Sequence, residues 1–185
     1  HSTRAPSPSP FSLAWGLVMA PLTTLSENRR STRSTPASPV GSADDGLEIR
    51  PPVHRDGAAM WRIARDSGTL DLNTSYAYLL LARDFAATSR LAVQDGEAVG
   101  FVVGYRRPEA PDHLFIWQIA VDESQRGRGI AARLLDALVA DLPQVRVLES
   151  TITEDNLASQ RLFAAFAARH GAAHRIDPLF EQGDF

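Results

Sequence analysis

The feature that most constrains this chain is an apolar strand that leads into a basic, glycine-rich turn and then into a helix. Ile119, Ala120 and Val121 precede the turn at residues 126–129, which has the sequence Arg-Gly-Arg-Gly, and a helical pattern follows. A helix N-terminus offers backbone N–H groups without partners and a partial positive charge. Glycines let a large anion approach that backbone closely. The segment therefore predicts a pyrophosphate site.

The turn contains the pattern Arg126-x-x-Gly129-x-Ala131, which is neither the GxxxxGK[ST] of a P-loop nor the complete GxGxxG of a dinucleotide fold. After a strand that ends in Ala-Val-Asp, this pattern resembles the acetyl-CoA-binding motif of the GNAT acyltransferases. The resemblance implies acetyl-CoA as a cosubstrate. The alternative is an ordinary solvated turn before a helix. The residues expected to contact the cosubstrate are Ile119, Val121, Arg126, Gly127, Arg128, Gly129, Ile130, Ala131, Asn156, Ser159 and Phe163.

Composition removes several classes of function. The chain of 185 residues contains no cysteine, which excludes disulfides, thiolate metal sites and cysteine nucleophiles. All 19 basic residues are arginine, so a lysine Schiff base is excluded as well. The net charge of −3 argues against general nucleic-acid binding, and no apolar run approaches the length of a transmembrane helix. We expect one folded domain in the cytoplasm, with no nucleic-acid or membrane partner.

Residues 1–42 differ in composition from the rest of the chain. Ser, Thr and Pro supply 20 of these 42 residues, and such a segment buries too little apolar surface to fold alone. We therefore expect a flexible extension, or sequence outside the native start, before a domain at residues 43–185. Within the extension, residues 11–20 form an apolar island. A secretory signal core is one interpretation of that island, and an internal start at Met19 is the favoured one.

From residue 47 onward, strand and helix patterns alternate. Strands are predicted at residues 47–50, 89–94, 98–105, 113–121 and 145–152, with a tight turn at Asp95-Gly96. Helices are predicted at residues 53–66, 76–87, 129–141 and 156–169, the last followed by Gly171. This β-α-α-β-β-β-α-β-α order matches the GNAT acyltransferase fold, an α/β architecture with a mixed, twisted central sheet flanked by helices.

Two sequence blocks point to a narrower family. Residues 70–76 have the sequence Leu-Asp-Leu-Asn-Thr-Ser-Tyr, and residues 115–118 have the sequence Phe-Ile-Trp-Gln. With further blocks, they resemble the L-2,4-diaminobutyric acid acetyltransferases of ectoine biosynthesis over nearly all of residues 47–180. The resemblance implies transfer of acetyl from acetyl-CoA to the γ-amine of L-2,4-diaminobutyrate. We expect the amine to attack the thioester directly, because no cysteine is present to carry an acetyl group.

Candidate substrate-binding residues lie in these two blocks. The substrate carries two ammonium groups and a carboxylate. A carboxylate such as Asp71 suits an ammonium, the aromatic face of Trp117 suits a cation, and Tyr76 offers a hydroxyl. Asn73, in the same polar loop, is the fourth candidate. Ordinary roles compete with these: helix capping for Asp71, and packing for Trp117 and Tyr76.

Two groups are candidates for catalysis. Glu149 lies in an apolar strand, where a buried carboxylate would act as the general base, and structural pairing with arginine is an equally open alternative. A backbone N–H near Ile119 or Ala120 is expected to stabilise the oxyanion, and we assign it to Ala120. Phe163 stands where many superfamily members carry a tyrosine that protonates the leaving thiolate. The narrower family also implies a later segment with His and acidic residues, a second possible source of the base.

Other interpretations of the sequence stay open. Asn156 would serve equally well as a plain helix N-cap. The five histidines show no metal-ligand spacing, so no metal is expected. A homodimer is expected by analogy with the superfamily alone. The rival functions are a GNAT enzyme acting on another small amine and a non-catalytic CoA-binding sensor, which the phenylalanine at position 163 would favour.

Overall fold

The computed structural model describes the backbone of residues 14–20 and, apart from the side chain of Pro178, all of residues 45–179. The strands are β1 (Ala14–Ala20), β2 (Leu47–Arg50), β3 (Ser89–Gln94), β4 (Glu97–Arg107), β5 (Ala110–Val121), β6 (Val147–Thr153) and β7 (Ala173–Pro178). The α-helices are α1 (Gly57–Ser67), α2 (Ser75–Asp84), α3 (Ile130–Ala140) and α4 (Leu157–Arg169). None of these helices has the length and hydropathy to cross a bilayer.

The strands form one mixed sheet in the order β2-β3-β4-β5-β6-β1-β7. Every neighbouring pair is antiparallel except β5 and β6, which run parallel. The predicted α/β fold, a mixed sheet flanked by helices, is confirmed, and the predicted order of elements holds from β2 to α4. The parallel strands β5 and β6 are joined by a crossover through α3 and not by a tight hairpin. The sheet can therefore open between these two strands.

Strand side chains alternate between two hydrophobic cores, one on each face of the sheet. Helices α3 and α4 cover one face, over buried residues such as Leu114 and Ile116. Helices α1 and α2 cover the other face, where Tyr78 of α2 meets Phe101 of β4 edge to face, with ring centroids 6.2 Å apart. Packing on both faces holds the central strands firmly, as a site built from their backbone requires.

Strand β5 carries a bulge at Trp117. Val103 of β4 pairs with Gln118 and Gly104 pairs with Ile116, so Trp117 is left without a partner in β4. A Cβ atom at Gly104 would lie 2.7 Å from the carbonyl oxygen of Phe115, so only glycine fits this close approach. On its other side, β5 pairs with β6 only as far as Ile116. The bulge therefore marks the vertex of a cleft between β5 and β6.

The boundaries of the first two helices differ from the predicted ones. Residues His54–Asp56 form a 3-10 turn, and α1 begins at Gly57 rather than at residue 53. The Asp56 carboxylate explains the delay, because it accepts a 2.7 Å hydrogen bond from the Val53 N–H and bonds of 2.7 and 3.1 Å from Arg50. Helix α2 ends at Asp84 and is followed by a second 3-10 turn.

Part of the N-terminal extension is a strand, contrary to the expectation that residues 1–42 stay outside the fold. Ala14–Ala20 pairs antiparallel with both β6 and β7 and lies between them. Composition over 42 residues concealed this strand, because seven residues with sheet-forming types such as Trp15 and Val18 suffice once both edges find backbone partners. Predictions for the remainder of residues 1–42, and for those after residue 179, lie outside the described residues.

Candidate functional site

The turn before α3 has the backbone of an anion site. Gly127 and Gly129 have φ angles of 78° and 74°, in the left-handed region that favours glycine. The first bond within the helix runs from the Arg133 N–H to the Gly129 carbonyl, at 3.0 Å. The N–H groups of Ile130 and Ala131 therefore lie in the unpaired first turn. A Cβ atom at Gly129 would meet nothing within 4 Å, so the approach to these groups is open.

Arginine side chains surround this turn. Arg126 donates through Nε to the Val121 carbonyl at 3.4 Å, and Arg128 contacts Gln125 and, at 3.5 Å, Gln94. Sequence reasoning missed a third arginine here, Arg133, which forms an ion pair with Asp45, with Nη1 and Oδ2 2.6 Å apart. The hydrogen bond from Arg133 is the main reason why the pKa of Asp45 lies below its usual range. Positive charge thus concentrates beside the open N–H groups.

The backbone of β5 beyond the bulge faces in two directions. The Asp122 N–H donates to the Val99 carbonyl of β4, at 2.8 Å. Because N–H groups alternate sides along a strand, Ala120 also donates toward β4, where it pairs with Phe101. The N–H groups of Ile119 and Val121 point to the cleft. The assignment of the oxyanion donor to Ala120 is therefore corrected: its N–H belongs to the ladder with β4, whereas the Ile119 N–H faces the cleft.

The start of α4 follows β6, beyond the last pair between β5 and β6. The Asn156 side chain caps the helix by accepting a 3.0 Å hydrogen bond from the Ser159 N–H. The capping role weighed for Asn156 is thus present in the structure, and Ser159 supplies its donor. Phe163 lies one turn further on, with only 1% of its surface exposed, inside the core under α3 and α4. Its predicted contact with the cosubstrate is corrected to core packing, because a buried ring offers no surface to a ligand.

A buried hydrogen-bond chain ties the polar loop at residues 68–74 to β5. Gln118, 4% exposed, donates through Nε2 to the Asp71 carbonyl at 2.8 Å, and its Oε1 accepts a 2.8 Å bond from the Tyr78 hydroxyl. Burial raises the pKa of Tyr78, although hydrogen bonds with Gln118 and Asn73 oppose the shift. Sequence reasoning missed both Gln118 and Tyr78. The available signal was a lone glutamine inside an apolar strand, which must find a partner when buried.

The four predicted substrate residues lie in different settings. Asn73 contributes to the buried chain through Tyr78. Asp71 has an exposed side chain, and it does not cap α2, because Thr74 takes that role by accepting from the Ala77 N–H at 3.3 Å. Trp117 is 44% exposed at the bulge, so core packing does not explain it. Tyr76 is 65% exposed on the first turn of α2.

Glu149 lies near the vertex of the cleft, beside an arginine and a histidine. Its carboxylate accepts from Arg107 at 3.3 and 3.4 Å and lies 3.0 Å from His113 Nδ1. The Glu149 side chain is 14% exposed. Pairing with an arginine, one of the two alternatives for this residue, is therefore present. His113 is a further residue that sequence reasoning missed as a site candidate, although it lies two residues before the block at residues 115–118.

Metal ligation is a separate question for these side chains. Across the part of the chain that the structure describes, no three His, Asp or Glu residues come together as a metal site would require. The His113–Glu149 pair has an arginine as its third member, and a guanidinium is not a metal ligand. Around the cleft, the described residues present backbone N–H groups, carboxylates, an imidazole and a guanidinium.

Comparisons with known proteins agree with this geometry. A sequence profile described as the acetyltransferase (GNAT) family matches residues 57–167. An L-2,4-diaminobutyric acid acetyltransferase from Streptomyces coelicolor is 54% identical over 149 residues, which cover 78% of this chain and 87% of that protein. The protein of the same name from Streptomyces anulatus is 51% identical over 152 residues, covering 80% of this chain and 86% of its own.

A solved structure shows the same relationship. Diaminobutyrate acetyltransferase EctA from Paenibacillus lautus, in complex with L-2,4-diaminobutyric acid and coenzyme A, is 34% identical, with a TM-score of 0.66. The match covers 74% of this chain and 97% of that one. The turn before α3, the split between β5 and β6 and the sequence relatives all indicate the same acetyltransferase family. The chain belongs to the L-2,4-diaminobutyric acid acetyltransferases within the GNAT acetyltransferase family.

Proposed function

We propose that this protein transfers the acetyl group of acetyl-CoA to the γ-amine of L-2,4-diaminobutyrate, giving the direct precursor of the compatible solute ectoine. The observation that carries the proposal is the cleft between β5 and β6. The turn that would bind the pyrophosphate follows the unpaired end of β5, and the loop bearing Asp71 is hydrogen-bonded to β5 next to the vertex of the cleft. Acetyl-CoA and the amine would thus enter the cleft from opposite directions.

Acetyl-CoA would bind along β5 and the start of α3. The pyrophosphate would lie on the N–H groups of Ile130 and Ala131, with charge from Arg126 and Arg128. The pantetheine arm would pair with the cleft-facing backbone of Ile119 and Val121, as an additional strand does. Gly127 and Gly129 leave room for the phosphates, and Asn156 and Ser159 would contact CoA from the start of α4.

The amino acid would bind at the loop between α1 and α2. In water the α-amine, with an ordinary pKa near ~8, is a readier nucleophile than an alkyl amine near ~10. Selectivity for the γ-nitrogen must therefore come from positioning. Asp71 would hold the α-ammonium in its charged form, and Trp117 would cover a cation with its ring. Asn73 fixes the loop, and Tyr76 offers a hydroxyl at its rim.

The transition state would be stabilised by the backbone of β5. The N–H of Ile119 points into the cleft beside the bulge, where it can donate to the oxyanion as the thioester carbonyl becomes tetrahedral. Glu149 supplies a carboxylate near the same vertex, and proton transfer is assigned to its cluster. Because Phe163 cannot donate a proton, the thiol of CoA would leave as a thiolate, tolerable for a thiol with an ordinary pKa near ~8.5.

The proposal extends to assembly and location. Helix α2 and the loop before it expose Leu72, Tyr76 and Leu79, an apolar surface that a second copy of the chain would cover. We therefore expect a homodimer, which sedimentation equilibrium will report as a mass of twice the chain. A cytoplasmic location follows from the cosubstrate, since acetyl-CoA is an intracellular metabolite.

The test is product analysis with a panel of amines. Purified protein is given acetyl-CoA with diaminobutyrate, ornithine, lysine or a polyamine, and free thiol is followed with time. The proposal expects diaminobutyrate to give the highest kcat/KM, with mass spectrometry and NMR locating the acetyl group on the γ-nitrogen. Preference for another amine would assign a different substrate. CoA binding without thiol release from any amine would favour the sensor.

A further inference from the structure

An arginine of helix α1 holds the end of strand β5. Arg62 donates through both terminal nitrogens to the Asp122 carboxylate, with bonds of 3.0, 3.2 and 3.3 Å, and through Nη2 to the Ala98 carbonyl at 2.7 Å. Such a bidentate pair fixes orientation as well as distance, because the guanidinium and the carboxylate are both planar. Arg62 therefore links α1 to β4 and to the residue that directly follows β5.

Asp122 is the residue at which the strand ends and the turn begins. Its N–H donates to the Val99 carbonyl of β4 at 2.8 Å, and its own carbonyl accepts from the Gln125 N–H at 2.9 Å, within a short 3-10 turn. The cleft-facing backbone of Ile119 and Val121 lies immediately before Asp122. The turn that would bind the pyrophosphate lies after it. The backbone direction at Asp122 thus sets how these two parts of the chain are oriented relative to each other.

The end of β5 has few other supports. Strand β6 pairs with β5 only as far as Ile116, so the last residues of β5 are hydrogen-bonded on the β4 side alone. A segment paired on one side twists more freely than a strand inside a sheet. The Asp122 side chain does not cap the 3-10 turn, and within the described residues the hydrogen bonds to its carboxylate all come from Arg62. Arg62 is therefore the side chain that restrains this end of the strand.

CoA would contact the chain on both sides of Asp122. In the proposed function, the pantetheine arm pairs with the backbone of Ile119 and Val121, and the pyrophosphate lies on the turn and the first N–H groups of α3. A ligand that engages two sites at once gains affinity only when the two sites are placed to match its length. The affinity for CoA therefore depends on the orientation that Arg62 imposes at Asp122, although the guanidinium itself donates to protein groups.

We propose that Arg62 is a positioning residue for acetyl-CoA, which acts through Asp122 to fix the strand that holds the pantetheine arm relative to the turn that holds the pyrophosphate. This proposal rests on the proposed function for the location of acetyl-CoA, and it does not depend on which amine is acetylated. When the pair is lost, each half of the site remains, and their relative orientation varies. A ligand that uses the turn alone is then little affected.

A second arginine–aspartate pair separates this role from a general contribution to stability. Arg50 of β2 donates to the Asp56 carboxylate at 2.7 and 3.1 Å. The exposed fractions of these two side chains are 32% and 13%, close to the 40% and 19% of Arg62 and Asp122. Strand β2 is separated from β5 by β3 and β4 in the sheet. The Arg50 pair is thus similar in geometry and burial but lies away from the cleft.

The experiment measures ligand binding to four full-length proteins: the wild type, Arg62→Met, Asp122→Asn and, as the matched control, Arg50→Met. Methionine keeps much of the apolar stem of arginine and removes the guanidinium. The affinity for CoA is measured by calorimetry. The affinity for ADP, which carries a pyrophosphate but no pantetheine arm, is measured by competition with CoA. Urea denaturation gives the stability of each protein.

The proposal makes distinct predictions for the two ligands. Arg62→Met and Asp122→Asn raise the Kd for CoA about 10-fold and change the affinity for ADP less than about twofold. Arg50→Met loses stability and binds CoA as the wild type does. Wild-type CoA affinity in folded Arg62→Met overturns the proposal, as does an equal loss for CoA and ADP, or a loss of CoA affinity in Arg50→Met as large as in Arg62→Met. Asp122→Asn, which keeps one acceptor oxygen, decides the question if Arg62→Met does not fold.

These outcomes are separate from those of the proposed function. If the wild type binds CoA and prefers another amine, the diaminobutyrate assignment fails and the variants still test Arg62, because CoA binding requires no amine. If diaminobutyrate is the substrate and Arg62→Met binds CoA as the wild type does, only the positioning role fails. A wild type that binds CoA without competition from ADP also overturns the positioning role, because the turn would then hold no pyrophosphate. A wild type that binds no CoA overturns both.

Discussion

The Tyr78 hydroxyl of helix α2 donates a 2.8 Å hydrogen bond to Gln118 Oε1, and Gln118 in turn donates to the carbonyl of Asp71. These hydrogen bonds connect the polar loop at residues 68–74 to β5 immediately after the bulge at Trp117. Both side chains are almost fully buried, so each depends on the other for its hydrogen bond. The loop that carries the substrate candidates is thereby positioned by the strand that lines the cleft.

Tyr78→Phe should destabilise the fold and loosen that loop. It leaves Gln118 Oε1 buried without its donor, at a cost of about 1–3 kcal/mol. We expect a lower midpoint in urea and a higher KM for the amine, with CoA affinity preserved. Tyr76→Phe, which removes an exposed hydroxyl from the same helix, is the matched control for stability. Equal stability of wild type and Tyr78→Phe would contradict the role of the chain.

Gly129→Glu should abolish acetyl-CoA binding. The substitution introduces a side chain and a negative charge where the phosphates would lie, and it strains a residue whose φ is 74°. Calorimetry with CoA measures the effect. Gly171→Glu is the control, because Gly171 also has a positive φ and open surroundings but lies after α4. Undiminished CoA affinity in a folded Gly129→Glu protein would remove the phosphate site from this turn.

Asp71→Asn should weaken amine binding and spare CoA. A lost charge-assisted hydrogen bond to an ammonium corresponds to a KM about 10- to 150-fold higher. The ratio of γ- to α-acetylated product should fall too, because the α-ammonium is no longer held in its charged form. Asp84→Asn serves as the control, because it neutralises a carboxylate at the far end of α2, away from the loop that carries Asp71. An unchanged KM and product ratio would leave Asp71 with only its backbone contact.

Removal of β1 should lower stability. A chain beginning at Ala43 lacks the strand between β6 and β7 and leaves the β6 backbone edge unpaired. A chain beginning at Ala14 retains the strand and isolates its contribution from that of residues 1–13. We expect the shorter chain to unfold at lower temperature and to associate more readily, by calorimetry and light scattering. Identical melting curves would show that β1 contributes nothing to stability.

Asp56 should make the fold sensitive to acid. Burial alone would raise the pKa of Asp56, but hydrogen bonds from Arg50 and the Val53 N–H outweigh it and leave the pKa below its usual range. A lowered folded pKa means that stability is present above the unfolded value, near ~3.9, and is lost as pH falls through the folded value. Asp56→Asn should cost about 1 kcal/mol at neutral pH, and urea denaturation should show this difference shrinking as pH falls below the unfolded value.

Local patterns in the sequence determined the elements that carry their own signals. Glycines and arginines before an apolar helical pattern predicted the turn before α3, and two strand-like runs on either side of Asp95-Gly96 predicted the hairpin of β3 and β4. The blocks around Asp71 and Trp117 were enough to predict the family. All of these depend on residues close together along the chain.

The tertiary structure decided what depends on distant partners. The strand at Ala14–Ala20 could not be predicted, because its hydrogen-bond partners in β6 and β7 lie more than 120 residues away. The pairing of His113 with Glu149 joins two strands through the only parallel register among the described strands. Which N–H of β5 faces the cleft was set by its pairing with β4, a relation that the order of residues does not contain, because backbone direction alternates from a register fixed only in the folded sheet.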